Sequence, residues 1–254
     1  MRILISNDDG IHAPGLAILE QLAATLSSDI WVVAPEVERS GASRALTLTE
    51  PVRVRSLGER RFACSGTPSD CILLGVDELV FGAKPDLILS GVNRGQNLAE
   101  DTSVSGTVAA AVQGMQMGIP SIALSQAMNF RPGKDIPWHT ALAHGGAVLN
   151  QLLATKWRDG VVMNVNFPDC EPDEVTGTEA TFQGFRDESI HHIDRRNDLR
   201  GNDYYWIGYR AKQSKPPLGS DLLAIYERRI SVTPLQIDMT DPNALAQLKG
   251  VFPS

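Results

Sequence analysis

Apolar positions along the chain follow two rhythms, and the rhythms alternate. Residues 3–6 make a short, almost wholly apolar run, after which Leu16, Leu19, Leu22 and Leu26 fall on one face of a helix expected over residues 14–26. Residues 29–34 return to the first rhythm. Strands buried on both faces read as continuous apolar runs, so this strand–helix–strand unit predicts a parallel sheet covered on both sides. The alternation resumes with strands expected over 86–90, 120–125 and 161–167, and helices over 105–117 and 138–153. Between the units, residues 51–56 and 60–64 alternate like a small antiparallel pair turning at Leu57-Gly58-Glu59, a hairpin expected to decorate the main sheet.

After Pro168 the pattern weakens. Residues 188–203 are dense in charge with no apolar period, which predicts an exposed loop or an arm contacting another subunit. A strand over 204–209, a short helix over 220–226 and a strand over 230–234 follow. No internal repeat or low-complexity tract interrupts the chain. Its 254 residues, 43% hydrophobic, suffice for a sizeable core.

Composition narrows the function classes. No apolar run approaches the roughly 20 residues of a transmembrane helix, and Met1-Arg2 leads into a short apolar run rather than a signal peptide. The expected location is therefore the cytosol, with no membrane partner. Cys64, Cys71 and Cys170 form no C-x-x-C pair and are odd in number, which argues for buried free thiols over disulfides or zinc. A net charge of −7 argues against binding a nucleic-acid duplex. A bound phosphate would have to be attracted by a metal ion and by backbone amides.

Candidate chemistry collects where strands end, the usual ligand position in open parallel sheets. Asn7-Asp8-Asp9-Gly10 follows the first strand. Two adjacent carboxylates repel one another, and a cation would offset that repulsion; a polar turn capping the next helix fits the same residues. Ser40-Gly41 lies in the loop after the second strand, where a hydroxyl can meet a hard metal or a phosphate, or simply form a turn. Ser90-Gly91-Val92-Asn93-Arg94-Gly95-Gln96-Asn97 follows a buried strand, and Ser105-Gly106-Thr107 opens an alanine-rich helix. Free amides and the positive dipole end make such a helix start an anion site, although Ser105 also suits an ordinary cap. Asn93 offers a neutral oxygen to a cation or turns the chain.

The order of these segments carries a resemblance. Residues 2–10, Val33-Ala34-Pro35 through Ser40-Gly41, Gly66-Thr67-Pro68-Ser69-Asp70-Cys71, residues 85–97, Ser105-Gly106-Thr107-Val108 and Ile230-Ser231-Val232-Thr233-Pro234-Leu235 resemble, in register, the SurE family. The resemblance spans nearly the whole chain. It implies a three-layer α/β/α, Rossmann-like domain over residues 1–254, with a core at about 1–168. Extension and oligomerisation elements would occupy about 169–254, exchanged between subunits of a homodimer or homotetramer. It also implies a metal-dependent nucleotidase releasing phosphate from nucleoside 5′-monophosphates, with 3′-monophosphates and short polyphosphate as further substrates. By carry-over, one divalent ion per subunit is held by Asp8, Asp9, Ser40 and Asn93. Asn7, Gly41, Asn97, Ser105, Gly106 and Thr107 would line the phosphate and substrate pocket. Many relatives carry a tyrosine where this chain has Val104, so an aromatic or hydroxyl contact is missing there.

An all-oxygen ligand set suits Mg²⁺ or Mn²⁺. Asp8 and Asp9 are also the candidate catalytic carboxylates, as base or nucleophile. His12, His139 and His144 read as surface or packing residues. His191 and His192 could reach the substrate only if the charged arm folds back. Asp70 is expected in a loop closing near the site, or as a helix cap. The rival class is a non-catalytic nucleotide-sensing module using the same helix start. A receiver domain fits poorly, since it would be about half this length.

Overall fold

The computed structural model describes residues 1–128, 135–187, 191–209 and 214–252. Strands β1 (Arg2–Ser6), β2 (Asp29–Pro35), β5 (Leu87–Arg94), β6 (Ser121–Gln126) and β7 (Val162–Phe167) form the parallel centre of one sheet. The hairpin β3 (Val54–Gly58) and β4 (Arg61–Cys64) extends one edge, with β4 parallel to β2. At the other edge β11 (Arg229–Leu235) runs antiparallel to β7 and pairs with β8 (Gly177–Ala180). The order is β3-β4-β2-β1-β5-β6-β7-β11-β8.

Successive residues of β1 point to opposite faces, and each face has its own helices. Ile3 and Ile5 pack with Leu16, Leu19 and Leu22 of α1 (Pro14–Ala24) and with Val148 and Leu149 of α4 (Trp138–Ala154). Leu4 packs on the other side with Cys71 and Ile72 of α2 (Pro68–Leu74) and Ala110 of α3 (Gly106–Gln116). Three layers result. Each fully buried leucine or isoleucine contributes about 1.5–3 kcal/mol, so the β1 stripe alone is a substantial part of what fixes the sheet. Cys64, Cys71 and Cys170 are buried free thiols, as expected. No helix among the described residues is long and apolar enough to cross a membrane.

The elements depart from expectation in several places. Helix α1 ends at Ala24, before Leu26, and the hairpin is shifted so that its turn lies at Glu59 and Arg60. Residues 191–197 of the charged stretch are not a loop but strand β9 (His191–Asn197), paired antiparallel with β10 (Asp203–Tyr209). Residues 188–190 lie outside the described residues. The ladder is reinforced by the Arg195–Asp203 ion pair, while Ile193, Tyr205, Trp206 and Ile207 stay exposed. Residues 68–70 are the first turn of α2 rather than a loop. Thr67 and Asp70 form a reciprocal capping box, and Asp70 also accepts from Thr47. Helices α5 (Asp221–Tyr226) and α6 (Pro242–Val251) complete the chain.

Candidate active site

The carboxyl ends of β1, β2 and β5 and the start of α3 meet around one small cavity of about 140 Å³. Asp8, Ser40, Gly41, Asn93, Asn97 and Ser105 line it. Asp9 borders a neighbouring cavity instead, and its Oδ2 accepts from the Arg94 amide at 3.0 Å. Asn7, Gly106 and Thr107 are not among the residues lining the cavity. The Asn7 side chain is fully buried and is spent on the Gly10 backbone, donating to its carbonyl at 2.9 Å and accepting from its amide at 3.2 Å. Thr107 Oγ1 donates to Asp8 Oδ1 at 2.5 Å.

Close approach of the helix to the acidic turn explains Gly106. A Cβ there would lie 2.8 Å from Asp8 Cβ and 2.9 Å from Oδ2, so any larger residue pushes the carboxylate away. Gly91 does a related job in β5: its φ is +133°, and a Cβ would come within 2.2 Å of the Leu124 carbonyl. The strand's register to β6 shifts between Ser90 and Asn93, which turns Asn93 and Arg94 toward the first turn while they remain part of the strand.

Each loop is tied down. Arg39 donates its amide to the Asp8 carbonyl at 2.7 Å, and Ser43 bonds to Ser103 and Val104. Ser40 Oγ donates to Glu38 at 2.8 Å, and Asn93 donates its amide to the Gly95 carbonyl at 2.8 Å. Asn97 is held by Ser125 through its side chain and by Asn164 and Asn166 of β7 through its backbone. Ser105 Oγ accepts from the Val108 amide at 3.1 Å, so it caps α3 and lines the cavity at once.

Burial pushes Asp8 up to about 6; the Thr107 hydroxyl works against that shift and the neighbouring Asp9 charge adds to it. Asp9 is also raised, by burial first, with the Arg94 amide opposing and Glu38 reinforcing. Two carboxylates disfavoured in their charged form are a good fit to a cation, and the remaining donors are neutral oxygens. Among the described residues no group of three or more His, Cys, Asp or Glu is arranged for a metal, so an ion here depends on Ser40 and Asn93. Those donors suit a hard divalent ion held by oxygen.

Sequence reasoning missed Asp101, which lines the cavity from the short 3₁₀ turn Ala99–Ser103. Arg186, nearly buried, pairs with Glu100 at 2.9 Å and with Asp101 at 2.8 Å. Asp221 fixes the same turn by accepting from the Ala99 amide at 2.8 Å. No local signal marks these contacts, because the partners are far apart in the chain. His191 stands within electrostatic reach of Asp101, whereas His139 pairs with Glu171 away from the cavity. Val104 is half exposed at the cavity rim.

A doubly wound α/β protein with an acidic strand-end turn facing a helix start belongs to the class that binds phosphorylated ligands at the sheet edge. The family model described as "Survival protein SurE" matches residues 3–189. The chain is 59% identical over its whole length to a "5'-nucleotidase SurE" of Hyphomonas neptunium, whose whole length is matched as well. It is 58% identical over 99% of its length to a protein of that name from Caulobacter vibrioides, covering 96% of the relative. The crystal structure of the SurE protein from Aquifex aeolicus superposes with a TM-score of 0.82 at 32% identity, covering 99% of this chain and 100% of that one. The chain belongs to the SurE family.

Proposed function

We propose that this chain is a divalent-metal-dependent 5′-nucleotidase whose ion is held by Asp8, Asp9, Ser40 and Asn93. That it is a nucleotidase, a phosphoric monoester hydrolase, rests on its family and on relatives of that name matched over nearly their full lengths. The observation that supports the site is the convergence of Asp8, Ser40, Asn93, Asn97 and Ser105 on one cavity at the sheet edge. When bound, Mg²⁺ or Mn²⁺ supplies charge neutralisation at the phosphoryl oxygens and a more acidic water. The chain's own groups do the rest. Amides in the first turn of α3 point along the positive dipole end toward a phosphoryl oxygen. Thr107 holds Asp8 in one orientation, Arg94 holds Asp9, and the doubly anchored Asn97 fixes the opposite wall.

The reading extends to the rest of the chain. We take residues 1–254 as one domain, with a core at about 1–168 and oligomer contacts made by the later elements. The exposed apolar face of β9–β10, with Ile193, Tyr205 and Ile207, supports a homodimer or homotetramer. Three buried free thiols fit a reducing cytosol.

The test is phosphate release from a panel of nucleoside 5′- and 3′-monophosphates and short polyphosphate, with Mg²⁺, Mn²⁺ or EDTA. Release from 5′-monophosphates that needs the ion, and that Asp9→Ala abolishes with the circular dichroism retained, is the expected result. Purified protein that binds the nucleotides but stays inert with both ions would replace the hydrolase with the non-catalytic sensor.

A further inference from the structure

The cavity at Ser105, about 140 Å³, has room for a phosphoryl group and its surroundings but not for a whole nucleoside. A larger cavity of about 520 Å³ opens on the other side of the acidic pair, with Asp9 in its wall. Arg94 lines both. Glu38, which accepts from Ser40 of the small cavity, stands in the wall of the large one. A ligand with its phosphate at the start of α3 can therefore continue past the carboxylates into the second space.

That second space has the chemistry of a base site. Trp138, Met128, Ile136 and Pro14 supply its apolar wall. Trp138 opens α4; part of its ring packs on the core and its Cη2 lies against Gly15 of α1, so the indole is braced between two helices. A braced flat ring offers a stacking surface at little entropic cost. Met128 adds a polarisable thioether. The acceptors Asp135 and Glu38 stand beside this apolar wall. They suit an exocyclic amino group on a ring and repel a second phosphate.

We infer that the larger cavity binds the nucleobase, stacked on Trp138 with the amino group of a purine facing Asp135, which makes these two residues specificity-determining. The inference rests on the nucleotidase reading and adds where the nucleoside lies.

The experiment compares KM for AMP, GMP and UMP with the inhibition constant of inorganic phosphate, which lacks a base, in the Mn²⁺-loaded wild type, Trp138→Ala, Trp138→Phe and Asp135→Asn. The ratio of KM for AMP to that inhibition constant should rise about tenfold or more in Trp138→Ala, the range seen for loss of a base-stacking aromatic. The phenyl ring of Trp138→Phe should recover most of it, and kcat should move far less. Asp135→Asn should raise the ratio for AMP and GMP but not for UMP, whose base has no amino group. Calorimetric titration with adenosine should show binding to the wild type and none to Trp138→Ala. An unchanged ratio, an equal loss of AMP and phosphate affinity, or adenosine binding that ignores Trp138 overturns the inference. A wild type inactive on every nucleotide overturns the hydrolase reading instead, and the adenosine titration still decides the base cavity.

Discussion

Asp8→Asn should make the metal-free protein more stable while removing its metal site. Asp8 is 4% exposed and its carboxyl is pushed from 3.8 to about 6, chiefly by burial. A shift of that size corresponds to about 3 kcal/mol of differential cost for the charged form. For an acid whose folded pKa is raised, the folded state holds the proton longer than the unfolded chain. The penalty is therefore absent below about pH 4, grows between about pH 4 and 6, and is fully present above that window. Asparagine keeps an oxygen for the Thr107 hydroxyl but carries no charge; an amide nitrogen short of a partner returns about 1 kcal/mol of the gain. A net gain of roughly 2 kcal/mol remains, worth about 4–8 °C in a chain of this size. Thermal unfolding in EDTA at pH 8 and pH 4.5, at one protein concentration, checks it. The variant should unfold later at pH 8 and level with wild type at pH 4.5. Added Mn²⁺ should then raise the wild type and not the variant, reversing the order. A variant no more stable than wild type at pH 8 in EDTA, or a gain equal at both pH values, would refute the burial argument.

Other perturbations test the frame around the cavity. Gly106→Ala places a methyl group 2.8 Å from Asp8 Cβ; displacement on that scale should lower kcat by about a hundredfold with the fold retained, and near wild-type turnover would contradict the contact. Thr107→Val removes the hydroxyl that holds Asp8 down, so Asp8 should titrate still higher and the acidic limb of the kcat/KM profile should move to higher pH; an unmoved limb disproves the link. Arg186→Ala leaves Glu100 and Asp101 without their shared partner and should cost about 3 kcal/mol in urea unfolding, with a loss under about 1 kcal/mol arguing that the pair is solvated. Ile207→Ser on the exposed hairpin face should shift the assembly toward monomer in light scattering, and an unchanged mass excludes that face.

What was legible in the sequence was whatever one-sided or two-sided burial imprints on it. The continuous apolar runs of β1, β2, β6 and β7 and the leucine stripe of α1 announced a covered parallel sheet because both faces of these strands are buried. Strand β9 has most of its side chains exposed, so nothing forces an apolar period and its charges read as a loop or arm. Helix α6 buries none of its residues and for the same reason left no stripe. The capping box of α2 was visible as Thr67-Pro68-Ser69-Asp70, but a seven-residue helix offers little periodicity to support it. At the site, residue types pointed to turns that the fold brings together and not to their division of labour. Neither the rotation of Asp9 into a second cavity nor the register shift that turns Asn93 inward is written in spacing.

The Arg186 contact shows why the centre cannot be built from the first 168 residues alone. The turn Ala99–Ser103 borders the small cavity, yet it begins at Ala99 with φ at +52° and carries two acids side by side. Left to itself such a turn would be strained and self-repelling. Arg186 pairs with Glu100 and Asp101 together and offsets one of their two charges, and Asp221 accepts from the Ala99 amide and from the Gly184 amide. The later part of the chain thus clamps the cavity's rim from outside the sheet. It also bears on charge: with Asp8 and Asp101 in the cavity wall, Asp9 and Glu38 beside it, and Arg94 lining both cavities, a phosphate dianion meets a net negative field that one helix end, worth at most about 2 kcal/mol, does not overcome. Arg186 offsets part of that field at Asp101 and leaves the Asp8–Asp9 part, which is the part the proposed divalent ion would neutralise. An ion and a phosphate bound there would strengthen each other's binding, since the ion offsets the repulsion the phosphate would face and the phosphate adds attraction for the ion.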